Sequence, residues 1–82
     1  GEINRSIEDP AAAIDKVRKH YQADALVIDE TDGISMEFAD WRFNLRMSNT
    51  EPLVRLNLET RADALLLKRR ENEILNVLEG NQ

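Results

Sequence analysis

The run Arg46-Met47-Ser48-Asn49-Thr50-Glu51-Pro52 places a guanidinium, two hydroxyls and a side-chain amide within a few residues of one another. Each of those groups can donate a hydrogen bond to an oxyanion. The arginine fork matches the oxygen spacing of phosphate or carboxylate in two-point contact. Small polar residues also tolerate tight backbone conformations in which successive N–H groups converge into an anion-binding concavity. Pro52 biases Glu51 towards extended geometry and returns the chain to a strand, which fixes the exit of the segment. The same residue types dominate ordinary turns, because their side chains bond the local backbone. From residue types alone the segment is therefore either a plain polar turn or an anion grip, and Arg42 and Arg46 either serve it or are solvated residues of a strand.

Charge narrows the choice. The chain of 82 residues carries 11 Lys and Arg against 16 Asp and Glu, a net charge of −5, which opposes general nucleic-acid binding because that requires a basic excess. The distribution is uneven: residues 1–40 hold ten acids and four bases, whereas residues 41–61 hold Arg42, Arg46, Arg55 and Arg61 against Glu51 and Glu59. The one locally cationic stretch thus surrounds the polar segment, and all its bases are arginine. There is no cysteine, which excludes disulfides, thiolate metal sites and a cysteine nucleophile, and the single His20 rules out a His-rich metal cluster. No apolar run approaches the ~20 residues of a membrane span, and the first residues lack signal-peptide character. A soluble, cytoplasmic protein without nucleic-acid or membrane partners is the expectation. The length allows one domain, residues 1–82, and a single core of this size contributes only ~3–5 kcal/mol, which suits a piece of something larger.

The elements that must position the segment follow from periodicity. Ile3 to Ile7 is a short extended candidate. Asp9-Pro10 predicts a helix start, an Asp cap followed by Pro where a missing N–H costs nothing. Ile14, Val17 and Tyr21 share one helical face to about Tyr21. Ala25 to Ile28 is a short apolar strand, and Asp32-Gly33 supplies a turn. Ile34, Met36 and Phe38 alternate with polar neighbours, as do Trp41, Phe43 and Leu45, which predicts a hairpin with one dry face. The Ala39-Asp40 connection lacks a glycine. After the polar segment, Val54, Leu56 and Leu58 alternate with Arg55, Asn57 and Glu59. A final helix carries Leu67, Ile74 and Leu78 on one stripe, widened by Leu66 and Leu75, with Thr60 or Asp63 as cap and Gly80 as stop. The order strand, helix, four strands, helix predicts an α+β fold with an antiparallel sheet covered on one face.

The run Asp32-Gly33-Ile34-Ser35-Met36-Glu37-Phe38, then Trp41 to Arg46, then Arg46-Met47-Ser48-Asn49-Thr50-Glu51-Pro52 resembles the C-terminal domain of the α-D-phosphohexomutases, most closely the bacterial phosphomannomutases that supply GDP-mannose synthesis. The resemblance covers essentially the whole chain in element order. It implies a TATA-box-binding-protein-like fold and a fragment, the fourth domain, of a larger enzyme. It further implies that Arg46, Ser48, Asn49 and Thr50 grip the non-transferred phosphate of a phosphosugar, with Met47 in a variable slot and Glu51-Pro52 shaping the loop. The catalytic phosphoserine, the Mg²⁺ site and the sugar-reading loop would lie in other domains of the same enzyme. The domain alone would hold no catalytic residue and no metal, would be inactive, and would meet the hexose 1,6-bisphosphate intermediate only as a bound phosphosugar.

Other residues have plainer uses. Arg55 projects from the polar face after the loop and is a second candidate for the anion, with an ion pair to Glu37 or Glu59 as its alternative. His20 suits the dipole at a helix C-terminus. Asp29, Glu30 and Asp32 lack the spacing of a Ca²⁺ loop, and Trp41 and Phe43 belong to the core. The rival function is a non-catalytic protein-interaction module that uses its arginines for ion pairs.

Overall fold

The structure, a computed structural model, describes residues 2–61 and 63–80. Its elements are β1 (Glu2–Ser6), α1 (Pro10–Tyr21), β2 (Val27–Asp29), β3 (Ile34–Glu37), β4 (Trp41–Met47), β5 (Leu53–Thr60) and α2 (Ala64–Leu78). The five strands form one antiparallel sheet in the order β1-β5-β4-β3-β2. Helix α1 carries the chain from one edge of the sheet to the other, after which β2 to β5 return as a meander and place β5 beside β1. This is the expected α+β architecture.

Alternation decides which face is dry. Ile34 and Met36 of β3, Trp41, Phe43 and Leu45 of β4, and Val54, Leu56 and Leu58 of β5 are all buried. Ala13, Val17 and Tyr21 of α1 and Ile74, Val77 and Leu78 of α2 close over them. The opposite face presents Arg42, Asn44 and Arg46 on β4 and Arg55, Asn57 and Glu59 on β5.

Helix starts follow the sequence signals. The Asp9 carboxylate accepts a hydrogen bond from the Ala12 amide at 3.2 Å, and that of Asp63 accepts one from Leu66 at 2.9 Å. Asp63 rather than Thr60 is thus the cap of α2, while the Thr60 hydroxyl donates to the Asp63 carbonyl at 3.0 Å. Gly80 ends that helix at φ +75°, a conformation costly for a residue with a Cβ. Tyr21 fastens the layers, donating to Glu73 at 3.1 Å, while Arg70 pairs with Glu73 at 3.0 Å and lies 4.7 Å over the Trp41 ring.

Three expectations shift in detail. Leu26, Val27 and Ile28 remain exposed, because β2 is an edge strand with a neighbour on one side only. In α2 the fully buried stripe is Ile74, Val77 and Leu78, with Leu66, Leu67 and Leu75 only partly buried, so the C-terminal half of the helix carries the packing. Phe38 lies just beyond β3, stacked on Trp41 at 4.3 Å, and its amide donates to the Trp41 carbonyl at 2.8 Å, so Ala39-Asp40 is a two-residue connection made without glycine.

Candidate functional site

The polar segment joins β4 to β5 at one end of the sheet. Its neck is closed by the Ser48 amide donating to the Leu53 carbonyl at 3.1 Å. Inside it, the Ser48 hydroxyl oxygen accepts from the amides of Thr50, at 3.2 Å, and Glu51, at 3.3 Å. The Thr50 hydroxyl lies 3.5 Å from the same oxygen. These amides are therefore turned onto a side-chain oxygen rather than left as an open concavity, the local bonding that Ser and Thr favour in turns. The Pro52 carbonyl accepts from the Ile7 amide at 2.9 Å, which ties the loop exit to the chain after β1. Asn49, Thr50 and Glu51 are exposed.

Arg46 occupies the penultimate position of β4, on the open face, next to the loop. Its Nη1 makes an ion pair with the Asp32 carboxylate at 3.2 Å, and its side chain is 40% exposed. Gly33 makes that pair geometrically available. It has φ +69°, and a Cβ built there would run into the Leu45 carbonyl oxygen and lie 2.6 Å from the Arg46 Cβ. Only a glycine lets the β2–β3 turn lie this close to Arg46. Asn44 braces the same turn, donating to the Ser35 hydroxyl at 2.9 Å and the Asp32 carbonyl at 3.3 Å. A cleft of about 400 Å³ opens between α1, this turn and the loop, lined in part by Arg18, Asp32, Gly33, Arg46, Met47 and Asn49. Beside it, Arg18 and then Lys19 hold the Asp15 carboxyl below its ordinary range, at 2.6 and 3.0 Å.

The sequence-predicted residues thus gather at one end of the sheet but not at one point. Arg46 and Asn49 line the same cleft, while Ser48 and Thr50 meet each other within the loop. Arg55 stands directly opposite Arg46 in the β4–β5 register. It pairs with neither Glu37 nor Glu59; Glu59 is held instead by Arg42 at 2.7 Å, and among the described residues the Arg55 side chain makes no ion pair. Sequence reasoning missed Asp32 as the partner of Arg46 and Asn44 as the brace of its turn. The Asp32-Gly33 pair was the available signal for the first; the second had none. Among the described residues no three His, Cys, Asp or Glu side chains come together as metal ligands.

Residues 2–77 match the family described as phosphoglucomutase/phosphomannomutase, C-terminal domain. The chain belongs to the phosphoglucomutase/phosphomannomutase family. Among its relatives, a phosphomannomutase of Salmonella montevideo is 58% identical over 78 residues, 95% of this chain and 17% of that protein. A protein of Xanthomonas campestris named for phosphohexose mutases is 56% identical over 80 residues, 98% of this chain and 18% of its own length. A solved phosphoglucomutase/phosphomannomutase family protein from Burkholderia thailandensis superposes with a TM-score of 0.64 at 26% identity, covering 98% of this chain and 18% of that one. The chain therefore spans under a fifth of the length of these relatives. No helix among the described residues is long and apolar enough to cross a membrane.

Proposed function

We propose that this chain is the domain of a phosphomannomutase that grips the phosphate of the sugar not being transferred. The observation that carries this is the placement of Arg46 at the mouth of a loop whose Ser48, Asn49 and Thr50 supply two hydroxyls and an amide at the solvent-facing end of the sheet. Interconverting hexose 6- and 1-phosphates through a bisphosphate requires the intermediate to turn around, so a site that reads phosphate accepts both orientations where a tight sugar clamp accepts one. Such a site acts by positioning and charge neutralisation, each charge-assisted hydrogen bond contributing ~1.5–3 kcal/mol. Arg55, facing Arg46, adds a second guanidinium to the field. Phosphoryl transfer itself, with its Mg²⁺, belongs to other domains of the enzyme, and the charged substrate is one confined to the cytoplasm.

Inorganic phosphate or mannose 1-phosphate titrated into this chain is expected to shift the amides of residues 46–50 first, with millimolar affinity, roughly −4 kcal/mol. Shifts confined to other regions reject the assignment. A second reading, an interaction module, draws on Leu26, Val27 and Ile28, which are 72, 48 and 42% exposed along the β2 edge. An anion that binds the native state raises its melting temperature; no protection by tens of millimolar phosphate favours the module.

A further inference from the structure

We propose that Asp32 is a positioning residue of the phosphate loop: it is the resident counter-ion of Arg46, and phosphate is bound by exchange against it. The inference rests on the phosphate grip proposed above. Its own support is the way the β2–β3 turn is built. A turn that merely reversed the chain could sit anywhere above the sheet, yet this one is pressed onto Arg46 through the missing side chain of Gly33 and held there from the open face by Asn44. The result brings one carboxylate within 3.2 Å of the guanidinium next to the loop. That carboxylate is 77% exposed and can swing aside. Arg46, Asp32 and Asn49 line one cleft, so an anion approaching the loop from it meets the pair rather than a bare guanidinium.

Exchange has a chemical purpose in a site whose ligand must leave and return reversed. A phosphate dianion exceeds one carboxylate in charge and can displace it, whereas a monoanion or a neutral sugar hydroxyl gains little. When the phosphate departs, the carboxylate returns to the guanidinium, which stabilises the released state and so weakens net binding. Asp32 thereby favours dianions and keeps the hold weak.

Inorganic phosphate is the probe, titrated into the 82-residue chain and its variants while the amides of residues 46–50 and the Arg46 Nε–H signal are followed. Asp32→Asn keeps the turn-forming character of the residue and removes the charge; it is expected to bind phosphate roughly two- to fivefold more tightly, the range set by an exposed ion pair. Asp32→Glu restores the charge and is expected to return the affinity towards that of the parent. Glu30→Gln removes another carboxylate of the same cleft, one that makes no ion pair with Arg46 among the described residues, and is expected to change affinity less. Unchanged or weaker binding in Asp32→Asn overturns the proposal, as does an equal gain in Glu30→Gln, which would reduce the effect to general repulsion. If the parent chain shows no shift at residues 46–50, the phosphate grip itself fails. If the parent responds and Asp32→Asn does not tighten it, only the role of Asp32 falls.

Discussion

Arg46 and Arg55 face each other across the β4–β5 ladder, paired in register on the open side of the sheet. Like charges directly opposite on neighbouring strands oppose folding. Asp32 relieves only one of them, because its carboxylate lies against Arg46. The sheet thus carries a local surplus of positive charge beside the loop, within a chain whose net charge is −5.

Replacing Arg55 with Gln is expected to stabilise the fold by ~0.2–1 kcal/mol, since it removes that opposition. The same change should weaken phosphate binding, and less than Arg46→Ala does. Urea denaturation and phosphate titration of the two variants check both halves; a destabilised Arg55→Gln would mean that the guanidinium has a stabilising role in the fold.

Gly33→Ala is expected to cost ~1–3 kcal/mol or more, because the added carbon meets backbone at a positive φ. The strain falls on Leu45 and Arg46, so surviving folded protein should also lose phosphate response. The denaturation midpoint and the amide shifts of residues 46–50 provide the measurement.

Ser48→Ala removes the acceptor used by the Thr50 and Glu51 amides. The expected stability cost is ~0.5–1.5 kcal/mol, with faster hydrogen exchange at those two amides. Exchange left unaltered at both positions would show that the hydroxyl does not organise the loop.

Tyr21 sets the alkaline behaviour. Burial, reinforced by the Glu73 carboxylate beside it, holds its phenol above the ordinary range. The folded state therefore keeps its proton where the unfolded chain loses it. The associated stability is fully present below the unfolded value near 10 and falls as pH rises beyond it. Tyr21→Phe should lose about 1 kcal/mol near neutrality with the hydrogen bond to Glu73, yet decline less steeply from pH 10 upward. Urea midpoints across that pH range check the crossover.

Much of this architecture was readable in residue order. Alternation from Ile34 to Leu58 assigned the dry face, and Asp9-Pro10 located a helix start, because both depend on local geometry alone. The residues of the loop could be named for their donors. What sits beside them could not, since the contact of Asp32 with Arg46 depends on strand register and on a turn pressed close by Gly33. Exposure of Leu26 to Ile28 was likewise hidden, because being at a sheet edge is a property of topology and not of the strand. The burial of Val77 in place of Leu67 reflects where α2 meets α1 and β5, which no helical wheel contains.

A loop already fastened by its own serine has little left to arrange when a ligand arrives. Binding should then require only the displacement of the Asp32 carboxylate from Arg46 and no folding of the segment, and the attraction of the neighbouring guanidinia should make arrival rates fall as ionic strength rises. Departure needs no unfolding of the segment either. Under the proposed phosphate grip, contacts of this kind are expected to make and break repeatedly without refolding of the loop, a kinetic property that follows from one hydroxyl and two amides.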